Sequence, residues 1–139
     1  MKTKLSPRLQ KIVDVLPLKE GMRVLEIGCG PGSAAREVAR RIGRGHVLGI
    51  DRSVSAIRQA STYSAGEIGS ATVSFRTVAI EDFQLDDNEE KFDLAFAVRV
   101  GAFDGRHPEI EDKALIRVRL ALKAGGKLYI DGNFRFQQP

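Results

Sequence analysis

The 139-residue sequence contains no tryptophan, two tyrosines, one cysteine and two histidines. Each shortage removes a class of function. A single cysteine, Cys29, cannot form an internal disulfide or a multi-cysteine metal site. His46 and His107 are too far apart to show a ligand spacing, so no structural metal is expected. Nucleic-acid binding would call for a clustered basic face interleaved with stacking aromatics, and here tryptophan is absent and tyrosine rare. The net charge of +4 comes from Lys and Arg scattered along the chain, mildly concentrated at Lys2, Lys4, Arg8 and Lys11 and over 36–44. A solvated surface explains this, and nucleic acid is not the expected partner. No apolar run approaches the ~20 residues that span a bilayer, and the N-terminal stretch MKTKLSPRLQK lacks the apolar centre of a signal peptide. A soluble, cytoplasmic chain without membrane contact is the expectation.

A chain of this length buries about two thirds of its unfolded surface in one core, so a single domain over 1–139 is expected. It divides into a leading helix in 1–19, a ligand-binding core in 20–132 and a C-terminal tail in 133–139. Ser6 and Pro7 suit the cap and first position of a helix that carries Leu9, Ile12, Val13 and Leu16 at helical spacing. MRVLEI (22–27) is a short apolar run bounded by glycines, which reads as a strand buried on both faces. Ser33 is the expected cap of a helix with Ala34, Ala35, Val38, Ala39 and Ile42 inward, stopped by Gly43 and Gly45. Further strands are expected at 46–51, 72–78, 91–98 and 127–132, with helices opening at Ser53 and Pro108. This alternation predicts an α/β fold: a mainly parallel sheet of five strands, order 3-2-1-4-5, with helices on both faces. Ligands in such sheets sit beyond the carboxyl ends of the strands where the order reverses, here between strands one and four.

VLEIGCGPGSAA (24–35) places Gly28, Gly30 and Gly32 directly after the first strand. The spacing is GxGxG. Ser33 stands where a GxGxxG dinucleotide fingerprint has its third glycine, and the Lys-Ser/Thr ending of a P-loop is missing. A tight turn accounts for one or two of these glycines; three are more easily explained by backbone lying against a ligand. Glu26 narrows the ligand. A carboxylate just ahead of the glycines disfavours a pyrophosphate at the next helix N-terminus and favours a cation. S-adenosylmethionine, with a sulfonium, an ammonium and no phosphate, suits such a site. Asp51 ends the second strand, where an acceptor-only carboxylate can take hydrogen bonds from both hydroxyls of a ribose. That role serves S-adenosylmethionine and NAD alike, and a turn or cap role for DRS (51–53) is the plain alternative.

In order and spacing across about residues 20–132, VLEIGCGPG, GHVLGID, VAIEDF, KFDLAFAV and LKAGGKLYI resemble the class I S-adenosylmethionine-dependent methyltransferases. The resemblance implies a Rossmann-like, doubly wound fold, S-adenosyl-L-methionine as cofactor and a small-molecule methyl acceptor as partner. Glu26, Gly28 and Gly30 match the motif around the methionine part of the cofactor, and Cys29, Gly32 and Val98 are counted in the same site. Asp51 matches the ribose binder, and Arg52 is placed to pack on the adenine. Many members have an Asp where this chain has Ala79, so the adenine contact passes to backbone groups of Ile80 or to the Glu81 carboxylate, for which surface solvation is the alternative. Typical members continue after strand five into a helix and an antiparallel hairpin. Here strand five, with Leu128, Tyr129 and Ile130, is expected to be an edge, open to a homodimer or to a partner that completes the acceptor pocket.

Methyl transfer from a sulfonium is an in-line displacement with a good leaving group, so positioning and exclusion of water can carry much of the catalysis. Where the acceptor needs a base, His107 is the candidate, with Asp104 close by. A plain N-cap at His107 with a turn at Asp104 and Gly105 is the alternative. Arg99 leaves strand four toward the same crevice, to meet an acidic substrate or a surface carboxylate. AVRV (97–100) replaces the Asn-Pro-Pro-aromatic motif of enzymes that methylate amino groups of nucleic acids. Two functions fit best: a methyltransferase, or a cofactor-binding module inactive alone that serves as a subunit or regulator. A nicotinamide dehydrogenase domain is disfavoured by Glu26 and by the lack of a substrate domain.

Overall fold

The computed structural model describes residues 5–139. Lys2 and Lys4 of the basic N-terminal group, and the start of the 1–19 segment, lie outside the described residues. The elements run α1 (Pro7–Val15), β1 (Arg23–Ile27), α2 (Ser33–Ile42), β2 (His46–Asp51), α3 (Val54–Tyr63), α4 (Ala65–Gly69), β3 (Val73–Thr77), β4 (Phe92–Ala97), α5 (Pro108–Ala121), β5 (Leu122–Ile130) and β6 (Asn133–Gln137). Two cap signals act as expected. Ser6 accepts from the Leu9 amide at 3.2 Å to start α1, and Ser53 accepts from the Ala56 amide at 3.1 Å to start α3.

The sheet order is β3-β2-β1-β4-β5-β6, parallel up to β5 and antiparallel between β5 and β6. β1 lies in the middle with both faces covered, which is why its sequence is a continuous apolar run. The period of two still divides it. Leu25 and Ile27 join the core beneath Ala114, Val118 and Ala121 of α5, whereas Val24 joins the core beneath Ala35, Val38 and Ile42 of α2. Glu26 shares the face of Val24 and therefore ends under α2. No helix among the described residues is long and apolar enough to cross a membrane.

Three expectations are corrected. The cap of α2 is Gly32, in the left-handed region at φ 87°, and Ser33 is the first helical residue, with no side-chain cap bond from Gly32. The expected turn at KAGGK lies inside β5, which follows α5 directly; Phe92 pairs with Leu122 and Leu94 with Lys127, so the register shift takes up the extra residues. Residues 133–137 of the expected tail form a sixth strand. Asp131 and Gly132 both have positive φ, 51° and 85°, as a two-residue type I′ hairpin requires, and β6 folds back so that Leu128 faces Phe136 and Tyr129 faces Phe134. The β5 edge is thus paired within the chain, which removes the ground for a homodimer through that edge.

Candidate functional site

A cavity of about 340 Å³ opens beyond the carboxyl ends of β1, β2 and β4, at the reversal of strand order. Gly28, Asp51, Arg52, Ala79, Ile80 and Glu81 form one wall; Arg99, Val100, Gly101, Arg106 and His107 form the other. Ile27, Ile50, Val78, Ala102 and Ile110 add apolar surface between them.

The first wall is held by backbone. The Gly28 and Cys29 amides both donate to the Ile50 carbonyl, at 2.8 and 2.9 Å, which ties the glycine loop to β2. Asp51 completes the tie: one carboxylate oxygen accepts from the Gly30 amide at 3.0 Å and the other from the Ser53 amide at 2.9 Å. The turn role of DRS is therefore real. It leaves lone pairs free on both oxygens, so the carboxylate still accepts further donors.

Glu26 lies beneath this loop, only 2 % exposed. The Ala35 amide, in the first turn of α2, donates to its carboxylate, while Oε1 has no hydrogen-bond partner. Burial, followed by the negative charge of Asp51, pushes its carboxyl up to about 8, and Arg36 and the Ala35 amide oppose the shift without cancelling it. Arg36 is itself pinned, donating to the Pro31 carbonyl at 3.0 Å and to Ser64 Oγ at 2.9 Å. A cation above the loop would favour the ionised carboxylate and relieve this site. A phosphate would do the reverse. Cys29 is also buried, and burial pushes its thiol up, so its sulfur stays neutral near pH 7.

Of the residues singled out from the sequence, Gly28, Asp51, Arg52, Ile80, Glu81 and His107 meet at the cavity, with Arg99 beside them. Glu26 and Cys29 lie under the loop rather than on its surface, and Val98 packs against the core beneath α2. Gly30 and Gly32 shape the loop without lining the cavity. Asp104 does not join His107. Arg106 claims its carboxylate, through Nε at 2.8 Å, Nη2 at 2.6 Å and the amide at 3.0 Å, and holds it below the usual carboxylate range. His107 sits at the cap position of α5 without a side-chain cap bond. Val100, Gly101, Ala102 and Arg106 are among the lining residues to which the sequence assigns no role; the position of Val100 follows from the pairing of β4 with β1, which no local motif announces.

The profile of the family described as "Methyltransferase domain" matches residues 18–134. Similar proteins include the sterol 24-C-methyltransferase erg6 of Aspergillus fumigatus, 32% identical over 111 residues that make up 78% of this chain and 27% of that protein. The ubiquinone biosynthesis O-methyltransferase of Bradyrhizobium sp. (strain ORS 278) is 37% identical over 93 residues, 62% of this chain and 34% of that protein. Among solved structures, phosphoethanolamine N-methyltransferase 2 of Haemonchus contortus in complex with S-adenosyl-L-methionine superposes with a TM-score of 0.70 at 28% identity, over 88% of this chain and 27% of that one. The [4+2]-cyclase SpnF superposes with a TM-score of 0.71 at 28% identity, over 88% and 42% respectively. The chain spans about a quarter to a third of the length of the two curated relatives.

Proposed function

This chain belongs to the class I S-adenosylmethionine-dependent methyltransferase family, and we propose that it binds S-adenosylmethionine in the crevice between β1 and β4 and passes the methyl group to a small-molecule acceptor. The observation that carries this reading is Glu26 Oε1, a buried carboxyl oxygen without a partner beneath a glycine loop. An ammonium over the loop stabilises its ionised form, whereas a pyrophosphate there keeps it protonated and offers it no donor. Gly28 supplies the backbone surface for the methionine part, with Cys29, Gly30 and Gly32 shaping the loop behind it and Val98 packed against the core at the end of β4. Asp51 offers its remaining lone pairs to the ribose hydroxyls, while Arg52, Ile80 and Glu81 border the adenine. With Ala79 in that wall, the Ile80 backbone and the Glu81 carboxylate take the adenine amino group. The bound cofactor supplies an electrophilic methyl group on a sulfonium.

On the opposite wall His107, which lines the cavity, is the group that can take a proton from an acceptor at a ring nitrogen. Its position comes from the start of α5 and owes nothing to Asp104, whose carboxylate Arg106 occupies. Titration calorimetry with S-adenosylmethionine, S-adenosylhomocysteine and NAD tests the reading: the two sulfur compounds bind and NAD does not. Binding of NAD alone sinks it.

A second reading is favoured by the exposure of Gly101, Asp104, Gly105, Arg106 and His107. The described residues leave the acceptor side open to water, as suits a cofactor-binding subunit whose acceptor site another chain completes. Incubation with methyl-labelled cofactor and pools of small acceptors separates the two, because such a module labels nothing even while it binds the cofactor.

A further inference from the structure

Arg99 occupies a position that its own chemistry does not explain. Its φ is 53°, in the left-handed region that an L side chain adopts at a cost and glycine adopts freely. Two hydrogen bonds impose that conformation: the Arg99 amide donates to Asp131 Oδ1 at 2.9 Å, and the Asp131 amide donates to the Ala97 carbonyl at 2.9 Å. The turn between β5 and β6 therefore fixes the point at which residue 99 leaves β4. Arg99 lines the cavity, and its exposed side chain makes no hydrogen bond or ion pair with any described residue. Even Asp131, whose carboxylate holds the Arg99 amide, forms no ion pair with it. The other cations of the cavity are otherwise engaged or placed: Arg106 is neutralised by Asp104, and Arg52 follows Asp51 on the far wall.

We propose that Arg99 is the carboxylate anchor of this cavity, binding an acid group of a ligand in the flat, two-pronged geometry that a guanidinium favours. The inference rests on the function proposed above. Two sources of that group share the chemistry: the methionine carboxylate of the cofactor, and an acid group on the acceptor.

The test compares wild type with Arg99→Gln and Arg99→Lys, each shown by thermal melting to be folded. In the first arm, S-adenosylhomocysteine and 5′-methylthioadenosine, which lacks the amino acid end, are titrated calorimetrically. Arg99→Gln weakening the former by roughly tenfold to a hundredfold, the range for a lost charged hydrogen bond, and leaving the latter unchanged assigns the anchor to the cofactor. In the second arm, labelled S-adenosylmethionine is offered with a pool of small carboxylic acids and with the matching primary amides. Labelling of the acids alone, with KM raised in Arg99→Gln and partly restored in Arg99→Lys, assigns it to the acceptor. Arg99→Gln indistinguishable from wild type in both arms overturns the proposal, as does equal labelling of acids and amides when the first arm shows no effect. Wild type that binds no S-adenosylhomocysteine refutes the underlying function instead, and this inference falls with it.

Discussion

Gly28 and Gly101 line the same cavity, but a side chain would meet very different surroundings at the two. A Cβ at Gly28 lies 2.6 Å from Val100 Cγ2 and on a backbone with φ of 73°, whereas at Gly101 the nearest atom is Asp104 Oδ2 at 3.9 Å. The wall on β1 and β2 is a packed surface in which backbone amides, Asp51 and a buried acid fix one another. The wall after β4 is a set of exposed side chains on a loop. Sterics dictate the residues of the first wall, and the ligand dictates those of the second. This difference predicts that damage to the first wall is felt in stability and cofactor affinity together, and damage to the second in ligand binding or turnover without loss of stability.

The largest effect is expected at Gly28. Gly28→Ala combines a strained positive φ with overpacking against Val100, together about 2 to 4 kcal/mol of lost stability, and it displaces the loop from the cofactor. Gly101→Ala is expected to stay within about 0.5 kcal/mol of wild type, as for an open surface site. Denaturant unfolding of the two variants measures this. Equal midpoints would erase the contrast between the walls.

Glu26 gives the next effect, and its sign follows from linkage. Its carboxyl is raised in the folded chain from 4.5 to about 8, so between those pH values the folded state holds a proton that the unfolded state has lost. Stability contributed by the neutral form is full below about pH 4.5 and is lost progressively as pH rises through about 8. Glu26→Gln, which mimics the neutral acid, is therefore expected to melt several degrees above wild type at pH 8 and to match it at pH 4.5. At pH 7, cofactor binding to wild type should also release a proton, seen as a calorimetric enthalpy that varies with the ionisation enthalpy of the buffer. Glu26→Gln should show no such variation. A variation that survives in the variant places the proton elsewhere.

Asp51 comes third. Removing its carboxylate loses the tie to the Gly30 amide and the acceptor for the ribose, and Asp51→Ala is expected to weaken S-adenosylhomocysteine binding by about 1 to 3 kcal/mol. His107→Ala, on the other wall, is expected to leave that affinity unchanged. Should both variants weaken the cofactor alike, the two walls do not divide the labour as their packing suggests.

The same division explains what can be read from the residues alone. Glu26, Gly28 and Asp51 stand out in the sequence because a carboxylate beside glycines, and another at a strand end, are local patterns with a local physical cause. The strand order up to β5 follows from alternating strands and helices, since crossovers in such sheets have one hand. The sixth strand carried a local signal too: Asp131-Gly132 between LYI and NFRF is the dipeptide that a type I′ turn prefers. Reading 133–139 as a tail gives that signal no weight, and the open β5 edge follows from the same omission. Val100 had no comparable mark. Its approach to Gly28 depends on the register of β4 against β1, where Ile27 pairs with Ala97, a contact between residues far apart in sequence.

The smallest effect is expected at Asp104, and it tests whether the second wall works as a linked catalytic pair or as independent side chains. Asp104 and His107 are close enough in sequence to suggest an acid that orients a base, yet the carboxylate is turned toward Arg106 and bonded to it three ways. An acid that orients an imidazole has to touch it, and Asp104 is held by Arg106 instead. Asp104→Asn is therefore expected to leave the methyl-transfer rate close to that of wild type, while His107→Gln lowers it. The stability of the Asp104–Arg106 pair should be unaffected near neutral pH in wild type and lost only as pH falls through the depressed carboxyl range of Asp104. A rate in Asp104→Asn lowered as far as in His107→Gln would mean that the loop rearranges when ligand binds and hands the carboxylate from Arg106 to His107, which would make the exposed wall a switch rather than a fixed surface.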